Sequence, residues 1–145
     1  MTNKYRAVMD LINTCPLVGH STFFNVTDET NNDGNTSLLT TPDGTLVKKY
    51  IGGEKLKRFS CEIRQVKPLT FSENSNQNIE QIQLVQEFLN WINEQGEKGN
   101  FPDFGEGCAV QSMSTPEGAD VPSVIGISED GALYAFPFEI TYLEN

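Results

Sequence analysis

Reactive side chains are few in this sequence, and their spacing argues against most chemistries. The single histidine, His20, stands beside Ser21. Adjacency alone does not make a base–nucleophile pair, and no strand-turn-helix nucleophile elbow surrounds that serine. Cys15, Cys61 and Cys108 are odd in number and widely spaced, without a Cys-x-x-Cys. They read as small apolar side chains in a reducing compartment rather than as a disulfide framework or a zinc site. Residues 28–37 resemble a calcium loop faintly. With Gly34 at the sixth position, Glu29, Asn31 and Asp33 take the first, third and fifth, but Thr40 stands at the twelfth, where a bidentate acid is required. A polar loop is the simpler reading. Gly105-Glu106-Gly107 is too short and too acidic to cradle a phosphate. Asn25-Val26-Thr27 and Asn35-Thr36-Ser37 match the glycosylation pattern, but the polar N-terminal residues do not read as a secretory leader. Paired carboxylates could serve acid–base chemistry, yet nothing in the spacing of the acids singles out a pair. The expectation is a protein without catalytic residues, metal or cofactor.

Charge is the stronger signal. The chain of 145 residues carries 20 acids against 10 bases, for a net charge of −10. That balance opposes a nucleic-acid-wrapping role, which needs a basic footprint, and equally opposes docking on an anionic membrane. The charge is unevenly spread. Residues 46–67 hold Lys48, Lys49, Lys55, Lys57, Arg58, Arg64 and Lys67 against Glu54 and Glu62, whereas residues 68–145 hold Lys98 against 13 acids. A two-signed surface of this kind can meet a copy of itself head to tail, because unlike potentials attract and like ones exclude. Lys48, Lys49, Lys55, Lys57, Arg58 and Arg64 are therefore the candidate interface residues.

These residues need a scaffold, and the hydrophobic pattern supplies one. Tyr5, Val8, Met9 and Ile12 make one stripe of a helix over 3–13, ended by Pro16. Strands are expected at 22–27 and 37–41, after which Pro42-Asp43-Gly44 marks a turn. The segments 46–51 and 57–66, around Gly52-Gly53, read as a long antiparallel hairpin. In its second arm Phe59, Cys61 and Ile63 alternate with Ser60, Glu62 and Arg64, placing the basic patch on the hairpin's outer face. A long helix follows over 77–95, with Ile79, Ile82, Val85, Phe88, Leu89 and Ile92 inside and Glu80, Glu87 and Glu94 on the wet face. Gly96 and Gly99 are expected to close it. Strands at 108–113, 123–128 and 132–143 complete the chain, with Glu129-Asp130-Gly131 as a hairpin turn. Pro137, lacking an N–H, points to an edge or a bulge in the last strand. The fold class is α+β, a single domain over 1–145 with a mostly antiparallel sheet packed by the long helix and the short N-terminal one.

The order of these features resembles a family of small bacteriophage proteins, often called minor capsid proteins, that are similar to tail terminators. The likeness runs from Thr14-Cys15-Pro16-Leu17 through Phe24-Asn25-Val26 and Lys49-Tyr50-Ile51-Gly52-Gly53 to Phe59. It continues with Asn78, Phe88, Trp91-Ile92 and Phe101-Pro102, and ends in the strand 134–142 followed by Leu143-Glu144. The resemblance implies a sandwich-like fold and a ring, commonly a hexamer, capping the head-proximal end of a tail tube. It implies as partners the tube protein, the head–tail connector and, in contractile tails, the last sheath ring. DNA would only pass through the lumen, with no membrane involved. The place of action would be the virion's neck or tail, and the host cytoplasm during assembly. The family brings no catalytic residues. Two other readings of the same residues are another neck or head–tail connector protein and a small acidic binding or inhibitor module.

Overall fold

A computed structural model describes residues 4–16, 23–24, 36–40, 46–67, 76–128 and 131–145. Two long strands organise it. Strand β4 (Lys55–Lys67) and strand β7 (Gly131–Glu144) pair antiparallel along their whole length, from Lys55↔Glu144 to Lys67↔Ala132. Each is flanked on its other edge by a strand in two pieces. Strands β2 (Thr36–Thr40) and β3 (Leu46–Lys49) both pair antiparallel with β4, and β5 (Cys108–Ser114) and β6 (Ser123–Ser128) both pair antiparallel with β7. The segments between the pieces contain Pro42 in one case and Pro116 and Pro122 in the other. Proline cannot donate to a ladder, so an interruption there is expected. The two-residue strand β1 (Phe23–Phe24) adds a parallel bridge to β2 and completes a mostly antiparallel sheet.

Register and the period of two assign the faces. Cys61 and Ile63 of β4, Phe136, Phe138 and Ile140 of β7, Leu38 of β2 and Met113 of β5 share one face and are buried in one cluster. Helix α1 (Lys4–Asn13) adds Val8, Met9 and Ile12 to that cluster. Helix α2 (Asn76–Lys98) adds Val85, Phe88, Leu89 and Ile92. The Phe88 and Phe136 rings meet edge to face at 5.6 Å, a contact worth about 0.5–1.5 kcal/mol beyond the area it buries. Ring contacts Tyr5–Phe59, Phe59–Phe104 and Phe104–Tyr142 at 5.4, 5.8 and 5.1 Å pin α1 to the other end of the sheet. The long helix thus packs on the sheet beside the short one, as the sequence pattern implies.

Several expectations need correction. Ile79, assigned to the buried stripe of α2, is exposed, as Tyr5 is on α1. Pro137 does not demote β7 to an edge, because β7 is central. The proline pairs with Glu62 on the β4 side and falls in the gap on the other side, after β6 stops at Ala135 and before β5 begins at Glu139. On that side no β5 or β6 residue stands opposite it to require a donor. Gly96 lies inside α2 rather than ending it. Gly99, with φ of 74°, closes the helix through Asn100 N–H donating to the Gln95 carbonyl (2.9 Å) and its own N–H to that of Gly96 (3.3 Å). Thr36, assigned to the polar loop, is buried in β2 together with Ser37, where the strand expected at 37–41 begins, while positions 29, 31, 33 and 34 of the calcium-like pattern and His20 lie outside the described residues. The sequence pattern places the strand beyond Phe23–Phe24 and the two turns at 42–44 and 129–130, and these also lie outside them.

Gly96 has a different reason to be glycine. A Cβ there would collide with the Met113 carbonyl, the point where α2 crosses β5. On an open helix Gly→Ala stabilises by about 1 kcal/mol. Against a backbone wall the overlap, costing about 1–3 kcal/mol, wins. Gly96→Ala is therefore expected to lower the melting temperature, measured by circular dichroism, and Gly99→Ala to do so through its positive φ.

Candidate assembly surface

The six candidate cations split into two groups. Consecutive strand residues face opposite ways, so a run such as Lys57-Arg58 cannot form one outer patch. Lys57 lies on the helix-bearing face at the end of β4, and Arg58 and Arg64 lie on the opposite face. All three are engaged within the chain. Lys57 Nζ donates to Glu144 Oε1 at 2.7 Å, and Arg64 Nε to Glu62 Oε1 at 3.1 Å. Arg58 Nε stands 3.4 Å from Glu139 Oε2, in ion-pair range but without hydrogen-bond geometry. The expectation of a single patch on the hairpin's outer face is thus corrected to a patch divided between both faces and partly neutralised by the neighbouring strand β7.

Lys48, Lys49 and Lys55 form the second group. They sit at the turn end of the β3–β4 hairpin, Lys49 and Lys55 on the helix-bearing face and Lys48 on the other, are exposed, and have no ion-pair partner among the described residues. A tight turn presents them. Gly53 N–H donates to the Tyr50 carbonyl at 3.1 Å, and Tyr50 N–H to that of Glu54 at 2.9 Å, with Gly53 at φ 93°. Lys48 Nζ lies 5.1 Å from the centre of the Tyr50 ring. Leu46, Val47, Tyr50 and Ile51 are exposed beside the lysines. The hairpin end is a projecting, cationic and partly apolar knob.

Glu54 is the one acid exposed within the turn, and the other exposed acids lie elsewhere. Glu80, Glu87 and Glu94 are exposed along α2, about 10 Å apart at 1.5 Å per residue. Glu97 is exposed too, and Glu94 is paired with Lys98 at 2.6 Å. Glu117 and Asp120 are exposed in the loop before β6. Asn93 and Thr115 exchange hydrogen bonds, and Gln86 Nε2 donates to the Asp120 carbonyl at 3.0 Å, so both ends of that loop are tied to α2.

Among the described residues no reactive constellation accompanies this surface. A cleft of about 400 Å³ between α1 and the loop 101–103 is lined by Arg6, Asp10, Thr14, Phe101 and Asp103, and holds no nucleophile paired with a base. Among the described residues no three His, Cys, Asp or Glu side chains converge on a metal position, and no helix is long and apolar enough to cross a membrane. Burial pushes the Cys61 thiol up to about 12 and leaves it inert. Cys15 is also buried, and Cys108 is half-buried. Iodoacetamide is expected to label Cys108 in the native protein and Cys15 and Cys61 only after unfolding, as read by mass spectrometry.

The Lys57–Glu144 pair closes the end of the central ladder and makes stability depend on pH. The hydrogen bond from Lys57 holds the Glu144 carboxyl below its usual range, and the same bond raises Lys57. A depressed carboxyl stabilises the fold above its unfolded value, near 4.3, and that contribution is lost as pH falls through the folded value. A raised lysine contributes below about 10.4 and loses its contribution as pH rises through the folded value. The melting-temperature gap between wild type and Glu144→Gln is expected to be widest near neutral pH. It is expected to shrink as pH drops into the carboxylate range. No known protein family matches the sequence, and comparison with curated proteins finds no match.

Proposed function

We propose that this chain is a phage or phage-like structural protein that works as a tail terminator. It forms a ring, of six copies by family likeness, at the head-proximal end of the tail tube, ends tube growth and meets the head connector. The observation that carries the reading is the cationic knob of Lys48, Lys49 and Lys55, which have no ion-pair partner among the described residues, on an otherwise acidic body. A ring requires a contact that is not its own mirror, and unlike charges at separate sites favour such a contact. The α+β architecture, with helices on a mostly antiparallel sheet and no paired catalytic groups among the described residues, is compatible with an assembly role. The exposed Glu80, Glu87 and Glu94 stripe suits a wall past which DNA slides, since it repels phosphate. On this reading the chain acts in the neck of the particle after assembly in the host cytoplasm, touching the tube protein, the connector and, where the tail contracts, the sheath.

Immunogold labelling of particles purified from the source of this chain tests the proposal. Label confined to the upper end of the tail is the expected result. Label at the baseplate or on the capsid shell, or particles free of the chain, overturns it. In particles carrying Lys48→Glu, Lys49→Glu and Lys55→Glu together, loss of the ring is expected to leave tails of uncontrolled length in electron micrographs.

A further inference from the structure

Among the described residues β1, β3, β5 and β6 each have one edge without a ladder partner, and two of these, β3 and β6, lie at diagonally opposite corners and carry exposed large apolar side chains. Strand β3 pairs only with the start of β4, at Lys55–Lys57, and β6 pairs only with the start of β7, at Gly131–Ala135. Because β4 and β7 run antiparallel, those two starts are the opposite ends of the central ladder, and β3 and β6 lie on its opposite sides. Each therefore has an outer row of backbone N–H and C=O groups with no ladder partner among the described residues.

Strand β6 is the less protected edge. Folded proteins blunt open edges with charge, proline or bulges. Within Ser123–Ser128 there is no charged residue and no proline, and a register shift between Val124 and Gly126 is the sole such device. Val124 and Ile127 lie on the helix-bearing face, opposite Tyr134 and Ala132, yet the helices do not cover them. With Val121 and Ile125 they leave a contiguous stretch of chain with four large apolar side chains 45–63 % exposed. Acids flank this stretch, with Glu117 and Asp120 before it and Glu129 and Asp130 directly after it in sequence. Strand β3 has the matching character, with apolar Leu46 and Val47 beside cationic Lys48 and Lys49.

We propose that the chain associates head to tail with a second copy of itself, the open β3 edge of one copy pairing with the open β6 edge of the next. Electrostatics choose this pairing over the symmetric ones. Joining β3 to β3 antiparallel would gather two sets of Lys48 and Lys49 in one contact with no acid of β3 to meet them, and joining β6 to β6 would bring the acids that precede it, Glu117 and Asp120, toward those that follow it in sequence, Glu129 and Asp130. Only the unlike pairing places cations against acids, continues the sheet across the contact and covers both apolar stretches. A donor and an acceptor at opposite corners leave one of each free after every addition, so the contact propagates until a ring closes or a filament grows. The closure into a ring rests on the function proposed above, but the strand contact does not. It is a property of the purified chain, separable from any location on a particle.

Site-directed cross-linking tests it. One chain carries Val47→Cys and another Ile125→Cys, both in a Cys108→Ser background that leaves only the buried Cys15 and Cys61. Both new cysteines replace exposed side chains, and circular dichroism checks that the fold is retained. Mild oxidation of the mixture is expected to give the mixed dimer well above the statistical share, and a chain carrying both changes is expected to give a ladder of oligomers. Reversing Lys48, Lys49 and Lys55 to Glu in the first chain is expected to weaken the mixed product about tenfold. Adding Glu117→Lys and Asp120→Lys to the second chain is expected to restore it. A statistical mixture of the three dimers, a predominance of either like dimer, or no dimer at all overturns the proposal. Cross-linking as expected, together with immunogold label away from the tail, would leave the strand contact standing and remove the terminator reading.

Discussion

The β4–β7 ladder is the constraint on which the remaining structure depends. Two strands of 13 and 14 residues pair without a break and are bordered by every other strand of the sheet except β1. A fixed register means that each side chain's face is fixed along the whole length, since a slip of one residue would exchange the core face for the other. The apolar run of β7, with Tyr134, Phe136, Phe138, Ile140 and Tyr142 on one face, enforces that register, and α1 and α2 bury their apolar stripes in one cluster with it. Gly131 begins the strand at φ 144°, so close to the Lys67 carbonyl that a side chain there would meet backbone. At the other end Lys57 and Glu144 close the ladder with an ion pair.

The same ladder decides which charges are available to a partner. Arg58 and Lys57 are drawn to Glu139 and Glu144 because the cross-strand register brings the acids of β7 beside the bases of β4. Exposed ion pairs of this kind add little stability, with a median of about 0–1 kcal/mol. Their consequence is to neutralise, which leaves the net positive charge concentrated on the short β3 arm beyond the reach of those acids. The strand interruptions that make β3 and β6 separate pieces also set their open edges at opposite corners of the sheet. Charge segregation and edge placement thus have one origin in the long central pair and its broken neighbours.

Much of the fold was legible in the residues because local patterns agreed with the global arrangement. The stripe of α2 and the alternation of β4 and β7 identified their elements to within a few residues. What escaped was set by long-range pairing. Gln65 continues the Phe59-Cys61-Ile63 face and is buried, its Nε2 donating to Thr36 Oγ1 at 2.8 Å, and no periodicity reveals that a distant threonine stands there. Gly96 looked like a helix stop because its contact with Met113 lies outside its own element. Pro137 looked like an edge marker because the gap between β5 and β6 is a property of two other segments. At the candidate surface, the sequence located the basic run but not its division between faces or the acids that engage half of it. The strand at 123–128 is legible in sequence, but its exposure is not, since it follows from the helix layer stopping short of it.

The central claim is that unlike edges of the same chain attract each other electrostatically and pair as strands. Sedimentation velocity of the purified protein across a salt series measures this directly. Screening at 1 M salt shortens the range of charge interactions to about 3 Å, against about 30 Å at 0.01 M. The account predicts oligomers at low ionic strength that dissociate toward the monomer as salt is raised. A monomer at every ionic strength, or an oligomer that salt strengthens, would contradict it.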